Sequence, residues 1–181
     1  MEYIFTLKYQ LPEDAGLDDV VERLGAAGCD DALIGVGLTG RIAMNFSRDA
    51  DSAKAALFSA LEDVKRAVPG AKLIEAAPDF VGLTDVADLV GMSRQNIRKL
   101  MVHHAATFPT PVHEGSAAVW HLADMLSWLQ VKGAYEIAAS VADVAVLTKQ
   151  INLANKSIWP TPHRCCCLPC SVKCRLYWRE S

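Results

Sequence analysis

An α+β fold is what this sequence predicts, and three observations predict it. Over the first 80 residues, short runs of alternating apolar and polar residues are interleaved with apolar stripes at helical spacing, in the order β-α-β-β-α-β. Two short helical stretches broken by a glycine follow, and then two closely spaced prolines. Finally, residues 134–157 contain no proline or glycine and are rich in alanine, which favours one long helix. With 51% apolar and 22% charged residues in 181, the composition is that of a globular chain able to bury a real core.

Taken in order, Tyr3 to Tyr9 reads as a strand by its aromatic and β-branched content. Leu11 to Asp14 turns the chain, and Asp18 to Ala27 is a helix that turns Val20, Val21 and Leu24 inward and closes at Gly28. Two strands, Asp31–Val36 and Gly40–Phe46, are joined by a glycine-rich turn; in the second, Ile42, Met44 and Phe46 alternate with Arg41, Ala43 and Asn45. Asp51-Ser52 caps a helix from Ala53 to Val68 that Pro69-Gly70 ends, and Lys72–Ala76 is a last strand. This order is that of a ferredoxin-like split βαβ unit over residues 1–80. The glycines at 35, 37 and 40 lead into a strand rather than a helix N-terminus, so they read as a hairpin turn and not as a phosphate loop. The acids Asp14, Asp18, Asp19, Glu22, Asp30 and Asp31 offer a metal site or a partner face but read first as a solvated helix start, and Cys29 as an idle buried thiol. No nucleophile–base pair is visible, so an enzyme is not expected, nor is a cofactor.

Residues 82–100 carry the functional reading. Thr84 reads as an N-cap, followed by the stripe Val86, Ala87, Leu89 and Val90; Gly91 stops the helix where a left-handed backbone is wanted. Ser93 caps a second helix, 93–104, which sends Arg94, Gln95, Asn96, Arg98 and Lys99 outward and Ile97 and Leu100 inward. Arg suits guanine, Gln and Asn suit adenine, and Arg98 and Lys99 suit phosphates. Phe108-Pro109-Thr110-Pro111 cannot be helical. It leads into a hairpin whose tip is 112–116 and whose return strand is Ala117–Trp120, with His113 and Ser116 as candidate backbone contacts. A helix at 121–129 packs Leu122, Met125, Leu126 and Leu129 back onto the motif, with Trp120 and Trp128 as core residues.

The series Gly82-Leu83-Thr84, Ala87, Gly91, Ser93, Phe108-Pro109, Pro111, Trp120, Asp124 and Trp128-Leu129 resembles the winged helix-turn-helix of the MerR superfamily, in its AlpA and excisionase-like regulators. That resemblance covers residues 82–130. It implies a bacterial or phage-derived DNA-binding regulator, a repressor or autoregulator, with double-stranded DNA as its partner and Thr84, Ser93, Arg94, Gln95, Asn96, Arg98, Lys99, His113 and Ser116 at the interface.

Charge is unevenly spread: net −6 over residues 1–80, zero over 81–132 and +3 over 133–181. A neutral middle segment is a weak electrostatic footprint for a monomer on DNA, and a homodimer doubles the phosphate contacts. Ile137, Val141, Val144, Thr148 and Ile151 recur at alternating spacings of four and three, the seam of a coiled coil. Residues 133–158 are therefore expected to dimerise the chain on a palindromic operator. Residues 159–181 carry five cysteines. Cys167-x-x-Cys170 with Cys174 and His163 offers zinc ligands, but the paired half-sites of a zinc module are missing, so a disordered tail is expected and no metal. No membrane span or signal peptide is visible, and a cytoplasmic location is expected. The rival readings are an antitoxin or defence adaptor that caps a protein partner or small effector with the acidic domain 1–80, and an excisionase-like architectural protein.

Overall fold

The computed structural model describes residues 1–133 and 137–157. Cys167, Cys170, Cys174 and His163, weighed above as zinc ligands, lie with the rest of the tail outside the described residues. Among the described residues, no helix is long and apolar enough to cross a membrane, and no group of side chains could hold a metal ion.

The first half runs β1 (Glu2–Gln10), α1 (Leu17–Ala26), β2 (Ala32–Val36), β3 (Arg41–Asp49), α2 (Ala53–Ala67) and β4 (Lys72–Ala77). The strands form one antiparallel sheet in the order β2-β3-β1-β4. The alternation seen in the sequence is the alternation of burial. Tyr3, Phe5, Leu7 and Tyr9 of β1 and Ile42, Met44 and Phe46 of β3 all face the helices. Phe5 lies directly opposite Phe46 in the register, their rings stacked at 5.2 Å. β3 runs three residues further than its alternation suggests, because Ser47, Arg48 and Asp49 continue to pair with Ile4, Tyr3 and Glu2.

One of those extra residues is a buried cation. Arg48 grips Asp31 with two bonds (2.6 and 2.9 Å), donates to Asp63 of α2 (2.8 Å) and also reaches Ser59 Oγ and Gly28 O. These hydrogen bonds to Asp31 and Asp63 hold its guanidinium charged even in a buried setting. Asp31 is thereby committed to the fold rather than to a partner face. Cys29 sits in the same core, and burial pushes its thiol up to about 11.

The second half begins with β5 (Phe80–Val81) and continues through α3 (Leu83–Leu89), α4 (Arg94–His103), β6 (Trp120–His121) and α5 (Leu122–Val131). β5 and β6 pair as a two-stranded sheet. The core here is Val86, Ala87, Ile97, Trp120, Leu122, Met125, Leu126 and Leu129. Leu89, expected to share the inward stripe, is instead exposed, since the helix ends before its turn is covered.

α6 (Ala139–Ser157) binds the halves together. It packs on α5, on α2, and on β1 and β4. Its neighbouring residues Val144 and Ala145 enter different cores, the first beneath the four-stranded sheet and the second among α3, α4 and α5. The stripe expected to pair with a second copy is thus occupied at home. Val144 and Thr148 are buried and Ile137, Val141 and Ile151 half-buried, all against the chain's own cores. Heptad-like spacing marks a buried face without saying what buries it, and here the chain itself does so.

Candidate nucleic-acid interface

The turn between α3 and α4 is built from local chemistry. Gly91 takes φ +68°, the left-handed region that a side chain resists, and Met92 N–H donates to Ala87 O at 2.8 Å to close the helix end. Ser93 restarts the chain as N-cap of α4, its Oγ accepting from Asn96 N at 3.2 Å. At the front of α3 the cap differs from the expected one. Gly82 occupies it, and Asp85 reaches back so that its Oδ2 accepts from Gly82 N at 2.7 Å. Thr84 lies within the first turn, exposed, because the helix begins two residues earlier than a threonine cap would allow.

Ile97 anchors α4 in the core and Leu100 is half-buried, while Arg94, Gln95, Asn96, Arg98 and Lys99 are exposed. Among the described residues none of these five side chains makes a hydrogen bond or ion pair within the chain. An open groove of about 840 Å³ runs along the helix, lined chiefly by Met92, Gln95, Asn96, Lys99 and His103. Val102, 69% exposed on the turn after Arg98, was not singled out by its sequence context. An isolated valine in a polar helix carries no signal until the helix is placed. The first turn of α4 holds Arg94 and no acid, so the helix dipole and the side chain both favour an anion there.

The hairpin after α4 is shorter than expected. Val112 N and His113 N both donate to Val119 O, Val119 N donates to His113 O, and one bridge joins His113 to Val119. The return strand expected over Ala117–Trp120 does not form as a unit. Pro109 and Pro111 remove ladder donors from the opposing side, and Trp120 pairs with Val81 instead. His113 and Ser116 are both exposed at this tip, with the His113 ring folded over Gly115. Trp120 Nε1 donates to Pro109 O at 3.0 Å and Phe108 stacks edge-on against Trp120 and Trp128, which fixes the proline segment beneath α4. His104, edge-on to Trp128, is held below the ordinary imidazole range by desolvation and by Lys132 and His103 nearby, so acidity charges it late.

Sequence reasoning missed the buried polar node behind this unit. His121 Nδ1–H donates to Asp79 Oδ1 (2.6 Å) and Asn152 Nδ2 donates to Asp79 Oδ2 (2.7 Å), with all three residues buried. Asn152 also brackets Ala76, accepting from its N–H and donating to its C=O at 2.8 Å each. Thr148 Oγ1 donates to Pro78 O and Asn155 Nδ2 to Leu73 O. A signal was present: Thr148 and Asn155 interrupt an otherwise apolar stripe, and buried polar groups need partners.

α3 and α4 thus present, beside a small hairpin, a cation-rich face that no described residue engages. Residues 79–132 match the family described as prophage CP4-57 regulatory protein (AlpA), a prophage regulatory, DNA-binding family. The match spans less than a third of the chain and begins at Asp79, the buried acid of the polar node. No curated protein matches the chain.

Proposed function

We propose that this chain is a sequence-specific DNA-binding transcriptional regulator, a repressor or autoregulator that acts as a pair of copies on a palindromic operator. In this reading α3, the Gly91 turn and α4 form a helix-turn-helix and the 112–119 hairpin a short wing, while residues 1–77 form a ferredoxin-like unit that carries an effector or partner site. The observation that carries it is the outer face of α4. Five polar side chains, three of them cationic, project from a helix whose inner face is anchored, and no described residue engages them. Leaving such groups free costs nothing in water, and on DNA they meet base edges and phosphates.

Arg94, Gln95 and Asn96 lie in the first turn of α4 and read bases. Arg98 and Lys99, one turn on, neutralise phosphates, and Val102 meets a thymine methyl. Thr84 and Ser93, at the two helix starts, contact the backbone on either side, and His113 and Ser116 add wing contacts. The test is selection of bound fragments from random duplex DNA by the full chain. A single enriched sequence with two-fold symmetry is the expected result, and no enrichment over input overturns the reading.

A further inference from the structure

The four-stranded sheet has two edges, and the chain treats them differently. The β4 edge is closed by side-chain amides: Asn152 brackets both backbone groups of Ala76, and Asn155 Nδ2 donates to Leu73 O at 2.8 Å. Among the described residues, nothing covers the β2 edge. Ser47 N–H donates to Asp31 O and Gly37 N–H to Arg41 O, so the odd-numbered residues of this strand bond to β3. The backbone groups of Ala32, Ile34 and Val36 therefore point outward. Among the described residues, only the Ala32 amide of these finds a partner, Cys29 O. Residues 32–36 contain neither the proline nor the charge that usually protects an edge, and Leu33 is 76% and Val36 55% exposed.

We propose that the β2 edge pairs two copies of this chain, antiparallel about Ile34, into one continuous sheet. The proposal gives a surface to the paired-copy part of the reading above and is independent of its DNA part. The strand is self-complementary in this register. Each Ile34 N–H meets the second copy's Ile34 C=O, and each Val36 N–H the second copy's Ala32 C=O. Leu33 falls opposite the second copy's Gly35, a close non-hydrogen-bonded position. The space above that glycine is open, since a Cβ there meets only Ala43 O at an ordinary 3.7 Å. Charge also fits. Asp30, exposed, ends in one copy beside the 37–41 turn of the other, whose charged side chain is Arg41, and the two copies' Asp30 side chains lie at opposite ends of the paired strands.

The test is sedimentation of the full chain without DNA, across about 1–100 μM, the span in which modest interfaces dissociate. A reversible dimer is expected. Val36→Pro removes an outward N–H that bonds no described residue, and edge positions of that kind tolerate proline. Gly35→Lys fills the seat of Leu33 while having room in its own fold. Each should weaken pairing at least about tenfold with far-UV circular dichroism unchanged. A monomer throughout, or a dimer indifferent to both substitutions, overturns the proposal. A monomer that still selects a DNA sequence overturns the pairing alone, and a dimer that selects none overturns only the DNA reading.

Discussion

Asp79 shows at the scale of one residue how the halves are joined. Its carboxylate is fully enclosed and held by His121 from β6 and Asn152 from α6. Asn152→Leu strips the partner from Asp79 Oδ2 and from both backbone groups of Ala76, and should cost about 3 kcal/mol in urea denaturation, the cost of leaving buried polar groups under-bonded. On the outer face of α4 the residues act separately. Arg94→Ala should relax base preference at one operator position, a loss of about 1–3 kcal/mol in discrimination measured by competition gel shift. Lys99→Ala should weaken every sequence alike and flatten the salt dependence by about one unit. In the first core, Cys29 sets an alkaline limit. Its thiol is raised by burial, and next by Asp63, from 9.0 to about 11, so the folded form keeps a proton that the unfolded chain gives up. That contribution is intact below pH 9.0 and lost between there and about 11. Urea midpoints should therefore fall across that window, and fall less steeply in Cys29→Ala.

The turn-linked pair α3–α4 stands on two local devices, and each can be tested. Gly91→Ala forces a side chain into φ +68° and should cost about 1 kcal/mol, and Ser93→Ala should cost a similar amount through the lost cap, both read as a lower Tm. These devices were legible because glycine and serine act through the backbone beside them. The first-half strands were legible for the same reason: Ile42, Met44 and Phe46 declare their face by alternation alone. β5 and β6 were not, since two-residue strands have no period to read, and Phe80–Val81 acquires its meaning only when Trp120–His121 arrives from 40 residues away. The target of α6 was invisible too. A stripe at alternating spacings of four and three serves a second copy or the chain's own core equally well. The face of α4 was readable as chemistry, while Val102 and the Asp79 node needed the fold.

For the whole molecule, α6 makes the two cores interdependent. Val144 lies in one and Ala145 in the other, and Lys149 ties the helix to Asp124 of α5 at 2.6 Å. The chain should therefore unfold in a single step, with tryptophan fluorescence and far-UV circular dichroism giving coincident urea transitions; two separated transitions would show that the halves stand alone. The asparagine cap on β4 has one more effect. With both backbone groups of Ala76 and the carbonyl of Leu73 already satisfied, that side of the sheet offers an incoming strand fewer docking groups than the β2 side. Growth by strand addition is thereby favoured at β2, and a two-fold union there uses up the exposed backbone of both molecules at once. Such growth ends after a single event, so a chain that keeps one border unguarded is still spared from polymerising into fibres.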